Sequence, residues 1–432
     1  MTAPLVRSAW ARRFLVVWAS QAVSLVGSSV AGFALVWWLT QATGSATVLA
    51  ASALASTLPL VLLGPLAGAL VDRHSRRMVM MAADAFIAVV SAWLAYLFWA
   101  GQAQPWHVFV IMAVRALGGA FHWPAMQAST SLMVPREQLS RIAGMNQTVQ
   151  AVMGILAPPL GALLLSLTPI HSIMLMDVGT AAIAIGLLTT VAVPQPRRDD
   201  LAGPAAARPS VTQDLRAGVR YVLGWRALAM LLGLAALTNA VVNPAMTLTP
   251  ILVLKHFHGG ATHLAAINSA FGFGMVAGGL VLAAWGGFKR RMLTVSLAMA
   301  AGGILLLPVG LAPSGRFWLA IAGFAGFAFV LPIINGPIMA VIQATVAPEM
   351  QGRVTTLMIS LAQVTTPLGL VVAGPLADAV GVRPLYIVAA LVCLAVGLAS
   401  LAVPDLQRFG ERRPALAPVR GEAPVGLTTG GR

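Results

Sequence analysis

The sequence predicts an all-α integral membrane protein with twelve transmembrane helices, from its composition and the lengths of its apolar runs. Of the 432 residues, 59% are hydrophobic and only 9% are charged, whereas soluble globular proteins carry about 25% charged residues. Because a helix needs about 20 apolar residues to cross the hydrocarbon core of a bilayer, we searched for runs of this length. Twelve qualify, at residues 14–39, 47–70, 78–100, 106–132, 140–166, 171–192, 227–254, 262–285, 292–312, 316–345, 353–377 and 384–403.

The Lys and Arg residues predict the orientation of these spans. If the N-terminus is cytoplasmic, all but four of the 27 Lys and Arg residues lie on the cytoplasmic side, as the positive-inside rule requires. The exceptions are Arg115, which lies inside a span, and Lys255, Arg316 and Arg383. We therefore expect a multi-pass protein of the cell (inner) membrane with both termini in the cytoplasm.

The same residue counts argue against several other classes of protein. The net charge of +15 is spread over short clusters between apolar runs, so no basic domain is available to hold nucleic acid. Neither lysine follows a glycine, so there is no phosphate-binding loop for ATP. His256, His258 and His263 cluster without an acid or a cysteine and do not indicate a metal site. We expect no enzyme activity, no cofactor and no metal.

One long polar linker divides the chain into two halves of six spans each. The first half covers residues 1–192, the linker 193–225 and the second half 226–403. Within the linker, Leu215, Val219, Val222 and Trp225 recur at helical spacing, which predicts an amphipathic helix on the membrane surface. The tail, 404–432, is rich in Pro, Gly and Arg, and a disordered cytoplasmic segment is predicted there.

Internal repeats predict how the two halves are built. Pro124, Pro135 and Gln150 each have a counterpart 213 residues later, at Pro337, Pro348 and Gln363. Within the first half, GPLAGAL at 64 resembles PPLGALL at 158, three spans later, and GPLADAV at 374 is a third copy. Inverted repeats of three spans, nested in two parallel halves, are a transporter architecture with the substrate site near the bilayer midplane.

The turn after the second span matches a known motif. GALVDRHSRR at 68–77 resembles the loop motif Gly-x-x-x-Asp-Arg-x-Gly-Arg-Arg/Lys of the major facilitator superfamily, with Ser75 in place of the second Gly. The stretches at 39–77 and 214–228 resemble the drug:proton antiporter branch that includes macrolide-efflux and enterobactin-exporter-like proteins. The resemblance covers nearly all of residues 10–403 and implies the major facilitator fold.

This motif is interpreted as an inner gate, formed by Gly64, Gly68, Asp72, Arg73, Arg76 and Arg77. The glycines allow span two to approach a neighbour closely, and Asp72 can accept hydrogen bonds at the N-terminus of another helix. In the family that helix is span eleven, and the resulting latch holds the outward-facing state. The alternative is that the arginines only enforce topology, but topology gives no reason for the acid.

Ionisable residues inside spans are candidates for function. Asp84, Arg115 and Asp177 are the candidates for proton coupling, and Arg115 occupies the place of an arginine that the family associates with this role. The sequence places Asp84 and Arg115 at similar depths, so we expect them to pair. This pair is either a fixed structural bridge or a titrating site. Asp177 is expected to be structural, because span six is peripheral in this fold.

Other polar and bent positions indicate a substrate cavity. In span five, Ala157, Pro158 and Gly161 resemble an antiporter motif, and Pro158 is expected to bend the helix. Spans 1, 5, 7 and 11 line the cavity in this family, where polar residues either face substrate or join helices. The candidates are Gln21, Ser24, Ser28, Asn146, Gln150, Asn239, Asn243 and Gln363.

Together these features predict a secondary active exporter that moves a small, partly hydrophobic organic compound, such as a drug or siderophore-like molecule, by alternating access. The expected partners are the lipid bilayer, the substrate and protons, and the protein is expected to act as a monomer. A non-transporting receptor or assembly protein with the same fold and an uptake carrier are the alternatives. Flux that collapses with the proton gradient distinguishes the exporter from a receptor, which binds without flux.

Overall fold

The computed structural model describes residues 9–193 and 211–409, which form helices joined by short turns, with no β-strand among them. Within these ranges the side chains of 9, 64–69, 72, 73, 136 and 211–215 are not described. The helices before the gap are α1 (Ala9–Thr43), α2 (Ala46–Arg73), α3 (Arg76–Trp99), α4 (Pro105–Met133), α5 (Leu139–Leu167) and α6 (Ile170–Thr189). Those after it are α7 (Val211–Leu223), α8 (Arg226–Thr247), α9 (Ala261–Trp285), α10 (Arg291–Leu311), α11 (Phe317–Thr345), α12 (Pro348–Val380), α13 (Arg383–Ala402) and α14 (Pro404–Gln407).

Twelve of these helices, all except α7 and α14, are long and apolar enough to cross a membrane. The predicted all-α class and number of spans are confirmed. Successive spans run in opposite directions, so the bundle has two ends. We call the end where α1 begins and α13 finishes the terminal end; it also holds the α2–α3 turn. The opposite end holds the α1–α2 turn.

Two short turns redirect the chain at these ends, and a serine begins the next helix at each. Ser45 Oγ accepts a hydrogen bond from the backbone N–H of Val48 at the start of α2. Ser75 Oγ accepts one from Met78 N–H at the start of α3. A serine at this position satisfies a backbone donor that has no partner within the helix, so α2 and α3 both begin at defined residues.

The seventh predicted span differs from the observed helix. The run 227–254 predicts one continuous helix, but α8 ends at Thr247, followed by a short helical turn at Thr249–Ile251 and a π-helical turn at Leu252–His256. Pro250 lies within this break, where it has no N–H to continue the hydrogen-bond ladder. Apolar composition therefore continues past the point where the backbone changes.

Glycines set the closest helix contacts in the second half. A Cβ on Gly278 of α9 would lie 1.8 Å from the backbone oxygen of Phe329 in α11. A Cβ on Gly303 of α10 would lie 2.5 Å from the backbone of α13 at Ala390. Helices in membranes associate through such close packing of small residues, so these contacts join α9 to α11 and α10 to α13.

The two halves contact each other toward the opposite end. Ser269 of α9 donates a hydrogen bond to the carbonyl oxygen of Ile155 in α5, at 3.0 Å. Near the last turns of α12, Gly374 packs against Thr47 and Ala50 of α2. These contacts close the cleft between the halves at the opposite end.

The linker and the tail both contribute described structure. In α7, Val222 is buried while Arg216 and Arg220 are exposed. The predicted tail starts at residue 404, but Pro404–Gln407 forms α14, and Leu406 and Phe409 are buried. The ring of Phe409 stacks edge-on against Trp225, with 4.8 Å between centroids. Residues 404–409 therefore belong to the folded part, because they bury apolar side chains. The rest of the predicted tail, 410–432, and the linker segment 194–210 lie outside the described residues.

Candidate functional site

Two layers of buried polar residues cross the first half near the middle of its helices. The first layer surrounds Asp84 of α3, whose residue surface is 3% exposed. Gln21 Nε2 and Ser24 Oγ, both from α1, donate to its carboxylate at 3.4 and 3.3 Å. His122 Nε2 from α4 lies 3.5 Å from Asp84 Oδ1. All the contacts to this carboxylate are therefore long, and one of them comes from a second titratable group.

The second layer surrounds Asp177 of α6, which is 1% exposed. Ser28 Oγ donates to its Oδ1 at 2.9 Å, and Ser91 Oγ donates to its Oδ2 at 2.8 Å. Arg115 of α4 forms a salt bridge with Asp177 and a hydrogen bond with Ser91. The carboxylate of Asp177 therefore has a charged partner and two hydroxyl donors, which is a fully satisfied buried ion pair.

The predicted pairing of Asp84 with Arg115 is wrong. The helices α3 and α4 are antiparallel, and their register sets Asp84 opposite His122 and Ser91 opposite Arg115. On each helix the two members stand seven residues apart, which is about 10 Å at 1.5 Å per residue. Asp84 and Arg115 thus lie in different layers, and Asp177 provides the carboxylate for the arginine.

The first layer borders a small cavity of about 100 Å³ between α1, α4 and α5. Gln21 and His122 line this cavity and also contact Asp84. Of the predicted cavity residues, Asn146 and Gln150 also line it, and Asn146 Oδ1 accepts a hydrogen bond from the indole of Trp18 at 2.9 Å. The polar side chains of the first layer are therefore connected to open space.

A larger cavity of about 440 Å³, the central cavity, lies between the two halves. Its lining includes α1, α5, α8, the turn at Thr249–Ile251 and α9, and Gln150 lines both cavities. The lining residues are Ser29, Gly32, Phe33, Val36, Gln150, Met153, Gly154, Ala157, Pro158, Met246, Thr247, Thr249, Pro250, Leu264 and Asn268. This set is apolar apart from amides and hydroxyls and contains no charged side chain.

The antiporter-like positions of α5 lie beside this cavity. Ala157 and Pro158 line it, and a Cβ on Gly161 would lie 2.7 Å from the ring of Phe33. The helix is continuous from Leu139 to Leu167 through both of its prolines. Gly161 therefore allows the approach of α1 that forms this wall.

Other predicted cavity residues lie elsewhere. Asn243 Nδ2 donates to Asn239 Oδ1 at 3.1 Å and to Thr366 Oγ1 of α12 at 2.9 Å. These two asparagines therefore join α8 to α12, as polar residues between transmembrane helices commonly do. Gln363 of α12 is exposed. Ser24 and Ser28 belong to the two polar layers.

The inner-gate motif is described only in part. Gly64, Gly68, Asp72 and Arg73 lie in the last turns of α2, but their side chains lie outside the described residues. Arg76 is buried at the start of α3. Arg77 Nη2 donates to the carbonyl oxygen of Thr189 at 2.9 Å. Arg77 thereby joins the α2–α3 turn to the end of α6.

Sequence reasoning missed His122 and Ser91. The signal was present, since Asp84 and Ser91 on α3, and Arg115 and His122 on α4, each stand seven residues apart. Residues at this spacing share one face of a helix. Within the described residues, no group of three or more His, Cys, Asp or Glu is arranged to hold a metal ion.

The chain resembles known efflux proteins over most of its length. The chain is similar to macrolide efflux protein A of Streptococcus pyogenes, with 32% identity over 90% of this chain and 95% of that protein. It is 28% identical to the multidrug efflux pump Tap of Mycobacterium tuberculosis, over 92% of this chain and 94% of the pump.

Solved structures agree on the fold. The nucleoside transporter NupG superposes with a TM-score of 0.69 at 12% identity, covering 90% of this chain and 99% of that one. A bacterial homologue of the human lysosomal transporter Spinster superposes with a TM-score of 0.64 at 13% identity, covering 95% and 98%.

The family model described as Major Facilitator Superfamily matches residues 17–365 and 228–424. Together with the relatives, this match shows that the chain is a multi-pass membrane transporter for a small molecule. It is an efflux-type transporter that belongs to the Major Facilitator Superfamily.

Proposed function

We propose that this transporter exports bulky, partly apolar organic compounds, of the kind represented by macrolides, in exchange for protons. It acts as a monomer in the inner membrane with both termini in the cytoplasm, so the terminal end is the cytoplasmic one. The Lys and Arg distribution supports this orientation. The names of the relatives support the export of macrolide-like compounds.

The observation that carries the proposal is the connection between Asp84 and the small cavity. Gln21 and His122 contact the carboxylate and also line the cavity. A buried carboxylate inside a membrane protein is costly, so its presence there indicates a function. Asp84 itself is buried, so protons and solvent in the cavity reach it through Gln21 and His122.

Protonation of Asp84 changes the hydrogen bonds that the cavity wall can make. The ionised carboxylate only accepts hydrogen bonds, whereas the protonated acid donates one. Gln21 Oε1 is buried and lacks a hydrogen-bond donor among the described residues. A rotated Gln21 amide offers this oxygen to protonated Asp84, so the proton moves a side chain on the cavity wall. This is how proton binding affects the substrate path.

The central cavity supports the proposed substrate class. Its volume of about 440 Å³ is within the usual range of small-molecule sites, about 300–1,000 Å³. Phe33, Met153 and Met246 supply apolar surface, and Gln150 and Asn268 supply amides. Methionine side chains adapt to varied apolar shapes. An uncharged wall of this kind suits a partly apolar compound better than a sugar or a phosphate.

The second layer has a structural role in this proposal. Arg115 and Asp177 neutralise each other, and two serines satisfy the carboxylate. Arg115 and Asp177 therefore hold α3, α4 and α6 together, and the proton is assigned to Asp84 with His122 beside it. The inner gate remains assigned to Gly64, Gly68, Asp72, Arg73, Arg76 and Arg77.

The test measures macrolide flux in proteoliposomes with and without an imposed pH gradient. Asp84→Asn is expected to lose gradient-driven accumulation while it keeps downhill exchange, because the amide cannot take up the proton. Asp405→Asn, which removes an exposed acid from α14, is the control and should transport like the wild type. Accumulation by Asp84→Asn at the wild-type level, with equal protein in the vesicles, overturns the proton assignment. Absence of macrolide flux in the wild type overturns the substrate class.

A further inference from the structure

One acid joins the two halves at the opposite end of the bundle. Asp378 lies in the last turn of α12, and its carboxylate meets the first residues of α2. It accepts hydrogen bonds from Ser45 Oγ at 2.7 Å, from Ala46 N at 2.8 Å and from Thr47 N at 2.9 Å. Three donors from one half thus bind a single carboxylate of the other half.

The location of these donors makes the contact favourable. The first N–H groups of a helix have no acceptor within the helix, and Ala46 and Thr47 are the first two residues of α2. The positive end of the helix dipole also lies there, and it stabilises a nearby negative charge. Hydrogen bonds to an ionised acceptor are about twice as strong as those between neutral groups. Asp378 is therefore an external cap on α2.

Close packing reinforces this cap one turn earlier in α12. A Cβ on Gly374 would lie 2.9 Å from Ala50 Cβ and 3.0 Å from Thr47 Cα. The cap and the glycine contact therefore form one patch between α2 and α12. Because the two helices belong to different halves, this patch must separate whenever the opposite end opens.

The antiparallel arrangement of α2 and α12 gives each helix the same pattern. In α12, Asp378 lies in the last turn, next to the start of α2. In α2, Asp72 is the next-to-last residue and lies at the terminal end, where α12 begins. The spacing Gly-x-x-x-Asp occurs near the end of both helices, at 68–72 and 374–378. Each helix thus has an acid near its C-terminal end and, at its N-terminal end, N–H groups without an acceptor inside the helix.

We propose that Asp378 is the latch of the gate at the opposite end, which stabilises the state closed there and is released when that end opens. Asp72 does the same for the other state, so one pair of helices carries a latch for each state. The proposal depends on the proposed function only in that the transporter must exchange between two states. Loss of Asp378 favours opening of the opposite end, loss of Asp72 disfavours it, and loss of both returns the balance toward the wild type.

The test measures distances and needs no substrate. In a Cys393→Ala background, Ala42→Cys and Ala379→Cys place spin labels at exposed positions on either side of the patch. Double electron–electron resonance in nanodiscs then reports the populations of short and long distances between the two spin labels. Asp378→Asn is expected to raise the ratio of long to short distances about three- to tenfold, a range set by hydrogen bonds to a partly exposed charge. Ser45→Ala, which removes one of the three donors, should raise it less.

Asp405→Asn is the control for the loss of one acid and should leave the distances unchanged. A wild-type distribution in Asp378→Asn overturns the latch, and so does a shift as large in the control. Failure of macrolide transport in vesicles leaves the distance result in place, so the two proposals fail separately. Asp378 is exposed, and a symmetric peak in size-exclusion chromatography shows that the variant is folded.

Discussion

Breaking the ion pair between Arg115 and Asp177 should lower the free energy of unfolding, by an amount that follows from the burial of the two side chains. Arg115→Met removes the charged partner and leaves a carboxylate that is 1% exposed, with only Ser28 and Ser91 as donors. Breaking a buried pair by removing one partner costs about 3–5 kcal/mol. At pH 7 the cost is limited to about 4 kcal/mol, because beyond that value the carboxyl takes up a proton instead.

A double-mutant cycle separates the pair from its individual members. Asp177→Asn strands the guanidinium of Arg115, whose side chain is 12% exposed. The double variant, Arg115→Met with Asp177→Asn, strands no charge and should recover about 2–4 kcal/mol of unfolding free energy relative to the sum of the single changes. The control is Arg141→Met, which removes an exposed arginine and should change the unfolding free energy by less than about 0.5 kcal/mol.

The measurement is reversible unfolding in mixed micelles, repeated at pH 7 and pH 5. The penalty of Arg115→Met should be smaller at pH 5, because protonation of the stranded carboxyl costs about 1.4 kcal/mol less for each unit of pH. If the free-energy changes of the two single variants add up to that of the double variant, the two residues do not interact and the structural role is refuted. If the double variant folds but fails to concentrate substrate, the second layer takes part in proton coupling, contrary to our assignment.

Further predictions concern the gate, the helix packing and the histidine. Asp72→Asn should leave insertion intact but reduce transport at least tenfold, checked by flux at equal membrane abundance; wild-type flux would remove Asp72 from the gate. Gly278→Ala should lower the midpoint of thermal unfolding because its Cβ meets the oxygen of Phe329, whereas Gly279→Ala, with nothing within 4 Å, should not; equal midpoints contradict the packing argument. His122→Gln should shift the pH profile of exchange, and an unchanged profile would show that His122 does not affect protonation of Asp84.

The sequence predicts the twelve spans well because membrane insertion depends on length and apolarity, which are properties of one segment at a time. The end of the seventh span is less predictable. The apolar run continues to Leu254 past the break at Pro250, and a proline does not by itself predict a break, because α5 is continuous through Pro158 and Pro159. The folded segment 404–409 is missed for a related reason, since burial of Phe409 depends on contacts with distant parts of the chain, such as Trp225.

The partners of the buried charges depend on the register between neighbouring helices, which the sequence of a single helix does not contain. Depth along each helix predicts that Asp84 and Arg115 are close, but depth alone does not give the register between α3 and α4. The observed register sets Asp84 against His122 and brings Arg115 to Asp177. The spacing of seven residues on each helix restricts the possibilities to a few registers, and packing selects among them.

The two layers differ in how completely the ionised carboxylate is satisfied, and our proposal that Asp84 rather than Asp177 exchanges the proton rests on this difference. Asp177 has a cation and two hydroxyl donors at 2.8 and 2.9 Å, so its neutral form would lose several strong contacts. Asp84 has donors only at 3.3 Å or more, beside an amide oxygen that lacks a donor. Little is lost when Asp84 becomes neutral, and a new hydrogen bond to Gln21 becomes available. A carboxyl whose surroundings accommodate both protonation states is suited to carrying protons. A carboxyl whose surroundings favour only the ionised state is suited to holding helices together.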